Sequence, residues 1–125
     1  MGSDSFVDNK LLCGVTHDLK EELFHFSHYK PWQSGLYSKL LVKADDLRVL
    51  LIALNTRTEM KAHHTDGTTT IHVLQGVLSL RVHDKQQQLL VGQILTLAPG
   101  ISHDIEARED SALLLTISWP SSETL

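Results

Sequence analysis

From residue 36 to residue 118 the apolar positions come in short runs, each closed by residues that favour turns. Runs at 36–43 and 47–54 are separated by Ala44-Asp45-Asp46, and runs at 69–74 and 77–83 flank Gln75-Gly76. Further runs at 87–91, 94–97, 103–107 and 112–118 are punctuated by Gly92, Pro99-Gly100 and Glu109-Asp110. Several are rich in Val, Ile, Thr and Leu, and no helical period occurs after residue 30, so each predicts a strand. Many short strands at regular spacing predict an all-β chain whose edges are managed by closing into a barrel or a two-sheet sandwich. Before residue 31 the pattern is different. Asp18 with Glu21 has the spacing of a helix N-cap, and Leu19, Leu23 and Phe26 fall on one stripe, which predicts a short amphipathic helix. Lys30-Pro31 ends it by turning the chain toward extended structure. Residues 1–15 carry little pattern and are expected to form an arm.

Alternation also assigns faces. In 69–74, Thr69, Ile71 and Val73 share the inward side, which puts His72 outside with Thr70. Ile71, Val73, Val77 or Leu78 onward, Ile94 or Leu95, and 113–117 are expected to line the interior, as pocket or as core. The runs at 40–54 hold more outward apolar residues than one barrel face should expose, a hint of a covering partner.

At 125 residues the chain has the size of one domain, large enough for a core. Its 42% apolar and 21% charged composition is that of an ordinary globular protein. The formal net charge is -4 without a cluster of Lys or Arg, which argues against direct nucleic-acid binding. No run approaches the ~20 apolar residues of a membrane span. The polar start MGSDSFVDNK lacks the features of a signal peptide. A cytoplasmic location is the expectation, and the single cysteine, Cys13, fits a reducing compartment.

Histidine is the residue that carries candidate chemistry. The stretch 61–76, KAHHTDGTTTIHVLQG, brings His63 and His64 into an Asp-Gly turn, and 92–103, GQILTLAPGISH, delivers His103 after a Pro-Gly corner. Imidazoles from separate strands at a barrel mouth suit a borderline divalent ion, with open positions for water or substrate. Elsewhere the plainer assignment is preferred. His17, His25 and His28 are solvated helix residues, and Cys13 is a small hydrophobe rather than the nucleophile of a pair with His17. Asp45, Asp46 and Asp66 are turn residues, His72 is a packed or interface histidine, and His83 is exposed beside a turn.

These two stretches resemble the two motifs of the cupin superfamily, small jelly-roll barrels. The resemblance implies a cupin barrel over residues 35–118, outside which lie the arm and short helix over 1–34 and, with Pro120 and two serines, a loose C-terminal tail over 119–125. In the second motif Gly92, Gly100 and His103 stand where the leading glycine, the turn glycine and the metal-binding histidine stand. The proline position falls on Ala98, with Pro99 one residue later. In the first motif the register from Gly76 puts the glutamate ligand on Thr69 and the two histidines on Ala62 and His64. A loop one residue different places His63 and Thr65 there instead. The resemblance therefore implies a metal site of His103 with His63 or His64, holding zinc, manganese, iron or nickel. Small cupins also commonly form homodimers. Two functional classes follow: a binding barrel for a small molecule, or a metal-dependent dioxygenase, isomerase or lyase acting on a small polar organic molecule. A storage-type structural cupin ranks below both.

Overall fold

The computed structural model describes residues 7–8, 14–27 and 34–120, in backbone only at 7, 8, 62 and 63. Two sheets face each other. The larger is formed by β1 (Val7–Asp8), β2 (Leu36–Lys43), β3 (Leu47–Leu54), β5 (Thr68–Gln75), β8 (Ile94–Leu97) and β10 (Ser111–Ser118), in the order β1-β2-β3-β10-β5-β8. The smaller contains β4 (Glu59–His63), β9 (His103–Ala107), β6 (Val77–Val82) and β7 (Lys85–Leu90), in that order. All pairings are antiparallel except the short β1–β2 contact, where the N-terminal arm lies parallel to Val42 and Lys43. The result is the expected all-β jelly-roll barrel with one short helix.

Alternation decides what lies between the sheets. Ile52 and Leu54, Ile71 and Val73, Leu113, Leu115 and Ile117 project from the larger sheet onto Leu78, Leu80, Leu89, Ile105 and Ala107 of the smaller. None of these side chains is more than 8% exposed, so the inward set forms a packed core. Leu95 packs against that core, and Ile94 is 58% exposed on the other side of β8, which settles the parity that the sequence left open. His72 is partly buried on the outer face, between the inward Ile71 and Val73.

Helix α1 (Leu19–Ser27) begins as the cap predicts, with the Glu21 amide donating to Asp18 Oδ1 at 3.2 Å. Its apolar stripe covers the outer face of the larger sheet. Phe26 is 2% exposed against Leu41, Leu51, Ala53 and Ala112, with its ring 4.1 Å from that of Tyr37. Lys39 Nζ meets Glu22 Oε1 at 2.7 Å beside this contact. The outward apolar surplus of 40–54 is therefore covered, in part, by the chain's own helix. Strand β3 reads as LRVLLIAL because core lies on one of its faces and helix on the other.

The turns follow their chemistry. Ala44 N–H donates to the Leu47 carbonyl across the hairpin, leaving Asp45 and Asp46 exposed. His83 lies in the β6–β7 turn with φ 56°, exposed as expected. Gly76 between β5 and β6 has φ 80° and presses against Ser111 and the Asp110 carbonyl, where a Cβ would collide.

Two expectations require correction. Residues 59–63, outside the apolar runs that predict strands, form β4, because the edge of β9 offers them a ladder although EMKAH carries no β-branched residue. Trp119, placed by sequence in a loose tail, is anchored: its amide donates to the Asp46 carbonyl and its indole packs on the core. Residues 121–125 lie outside the described residues, as do Cys13 and His28.

Candidate functional site

The connections 44–46, 64–67, 83–84 and 98–102 gather at one end of the barrel together with Trp119. His103 opens β9 at this mouth. It is 2% exposed, and its Cα partners are His63 on β4 and Val82 on β6. Its Nδ1 lies 3.3 Å from the Ile101 carbonyl oxygen, which can only accept, so a bond between them puts a proton on Nδ1. That orientation is the one a liganding histidine usually adopts.

The other predicted residues divide. His63 ends β4 and stands in register with His103 across the β4–β9 ladder, after a shift between Met60 and His63. His64 follows the strand and is exposed. Asp66 lies in the bend that its sequence predicts, and its Oδ1 accepts the indole N–H of Trp119.

Thr69 falls where the cupin resemblance would put a carboxylate ligand. Its side chain is 2% exposed, and its Oγ1 is 2.9 Å from Thr65 Oγ1 and 3.4 Å from the Gly67 carbonyl. The Thr65 hydroxyl in turn donates to the same carbonyl at 2.9 Å. These hydroxyls close the loop onto itself and carry no charge. A carboxylate-containing metal set is thus not what these residues fit, since a neutral hydroxyl engaged by its neighbour is a weak donor to a divalent ion. Among the described residues there is no group of three or more His, Cys, Asp or Glu side chains that could hold one.

Trp119 is the mouth residue that sequence reasoning missed. Its ring is partly buried, with the Arg48 guanidinium 5.2 Å from the ring centroid and Arg48 Nη1 donating to the Ala44 carbonyl at 2.6 Å. The signal was present in the alternation: Leu113, Leu115 and Ile117 point inward, and Trp119 is the next position of the same parity. A separate polar cleft of about 200 Å³ lies on the outer face of the smaller sheet, lined by Glu59, Lys61, Arg81, Gln86, Asp104 and Glu106.

Two facing sheets with a histidine at one mouth define a small cupin-type barrel. Comparison with known proteins makes the assignment specific. The family model described as the AraC-like ligand binding domain matches residues 49–120, and the chain belongs to that family. Among solved structures it is similar to a conserved protein of unknown function from Streptococcus pyogenes, at 22% identity and TM-score 0.73, covering 97% of this chain and 100% of that one. A cupin superfamily protein from Desulfitobacterium hafniense matches at 17% identity and TM-score 0.69, covering 75% and 86% of the two chains. Salicylate 1,2-dioxygenase from Pseudoaminobacter salicylatoxidans matches at 17% identity and TM-score 0.64, over 80% of this chain and 30% of that one. At such identities the likeness is one of fold. No curated protein matches.

Proposed function

We propose that this chain is a small-molecule-binding barrel that receives its ligand at the His103 mouth without a tightly held metal ion. The observation that carries this reading is the Thr65–Thr69 hydroxyl contact at the carboxylate position. Membership of a family described by ligand binding supports it. His103 supplies a buried imidazole, oriented by the Ile101 carbonyl, as the polar group to meet a hydroxyl or acid group of the ligand. The packed interior supports a ligand at the mouth rather than deep between the sheets.

A thermal-shift screen with sugars, sugar acids and small hydroxy acids tests the reading. A ligand of the native state raises the melting temperature in a saturable way, and His103→Ala should abolish the rise. A screen without a saturable shift speaks against it.

A second reading, a metal-dependent dioxygenase, isomerase or lyase, is favoured by one observation: His63 and His103 are Cα partners across β4–β9. Elemental analysis of the protein and of His103→Ala decides between the two. A stoichiometric transition metal lost in the variant supports the enzyme, and a metal-free protein whose melting temperature ignores zinc, manganese, iron and nickel supports the binding barrel. We further place the protein in the cytoplasm as a homodimer. The lone cysteine supports the first, and Leu90, Val91 and Ile94, exposed by 47%, 61% and 58%, support the second. Light scattering on the purified chain tests the dimer.

A further inference from the structure

Residues 64–67 belong to no strand and cross the barrel mouth as a strap. On one side the Gly100 amide donates to the Thr65 carbonyl at 2.7 Å, tying the strap to the connection that leads into His103. On the other side the Trp119 indole donates to Asp66 Oδ1. Gly67 lies against β10, where a Cβ would come within 2.7 Å of the Ser118 carbonyl oxygen. The strap thus reaches from the smaller sheet to the larger, with His103 buried at the same end.

We propose that residues 64–67 form a door over this mouth, latched by the hydrogen bond between Asp66 and Trp119, and that a small polar molecule reaches His103 only when the latch opens. The proposal rests on the mouth being the binding end. Two features make the latch the part that yields. Asp66 is exposed, so water competes for its carboxylate and release is inexpensive. The indole, in contrast, is held independently, packed on the core and faced by Arg48, whose guanidinium is tied to the Ala44 carbonyl. The strap therefore moves while Trp119 stays. A ligand that carries a hydroxyl or carboxylate acceptor can then take the indole N–H that Asp66 gives up, so opening the door need not leave a polar group unsatisfied.

The test needs no ligand. Diethyl pyrocarbonate modifies neutral imidazole, and peptide mass spectrometry separates the rate at His103 from that at exposed His64. In Asp66→Ala the rate at His103 should rise roughly fivefold, the factor that losing one ordinary hydrogen bond gives to an opening equilibrium. Trp119→Phe, which keeps a ring on the core and removes the donor, should do the same, so the test survives poor folding of either variant. Asp66→Asn keeps a carbonyl acceptor and should restore the wild-type rate, while His64 is unchanged throughout. Thr56→Val removes an exposed side-chain bond to Asp110 at the opposite end and should leave His103 protected. Unchanged rates in both Asp66→Ala and Trp119→Phe overturn the door, as does an equal rise in Thr56→Val, which would mean general loosening. If labelling behaves as expected and no ligand binds, the binding reading fails and the door stands. Binding without any change in labelling overturns the door alone.

Discussion

At the end of the barrel away from His103, backbone is stitched to backbone. Arg57 N–H donates to the Ala107 carbonyl, Ala107 N–H returns to Thr58, Arg108 N–H meets Val77, and Gly92 N–H meets Val73. Ser111 Oγ joins this network, accepting from the Val77 amide and lying 2.7 Å from the Glu109 carbonyl that its proton reaches. At the His103 end the crossing segment 64–67 is held by one backbone bond to Gly100, a side-chain bond to Trp119, the Thr69 hydroxyl of β5 against Thr65 and the Gly67 carbonyl, and the close fit of Gly67. The lesson is a division of labour within one small barrel. A network of backbone bonds between strands opens together with the fold, whereas a strap held largely by side-chain bonds opens alone. Binding elements are drawn from the second kind.

The comparison can be broken most sharply with glycine substitutions, one at each end. Gly76→Ala adds a Cβ at a left-handed φ and into Ser111, and should cost about 3 kcal/mol in urea denaturation, with His103 labelling unchanged in the folded protein. Gly67→Ala meets Ser118, Ile117 and Trp119 at an ordinary φ and should cost less, about 2 kcal/mol, because the strap can lift away. Its distinguishing outcome is faster labelling of His103. If Gly67→Ala were the more costly, or left labelling unchanged, the strap would belong to the rigid part of the barrel.

A smaller effect separates the two kinds of side-chain bond. Ser111 is 5% exposed, and Ser111→Ala removes the acceptor that its hydroxyl gives the part-buried Val77 amide, for a loss of about 1.5 kcal/mol. Asp66→Ala, at an exposed bond, should cost well under that in the same titration. The finest test is native-state hydrogen exchange: the Gly100 amide should exchange at least about tenfold faster than those of Ala107 and Arg108, since its acceptor sits on the strap. Equal protection would erase the difference between the ends.

Much of this was legible in the sequence. Strands β2, β3, β8 and β9 occupy the residues that their apolar runs and turn signals assign, and Asp18 caps α1 as its spacing predicts. The inward parity of Thr69, Ile71 and Val73 follows from a period of two, which needs no knowledge of the partner strand. The site was less legible. Gly92, Gly100 and His103 carried the family resemblance, while the choice between His63 and His64 depended on where β4 ends. That strand has five residues and no sequence signature, being a strand because β9 leaves an edge beside it.

The sequence by itself determined the alternation of faces, the turns, the helix cap and the family, because each depends on residues near one another along the chain. Only the tertiary structure decided that α1 covers β3, that His63 and His103 are Cα partners across β4–β9, that Thr65 and Thr69 join hydroxyls, and that Trp119 meets Asp66. Several of these contacts join residues far apart in sequence, and all of them depend on strand register and loop closure. No local pattern encodes these, because they are settled by which strands pair and which face each buries.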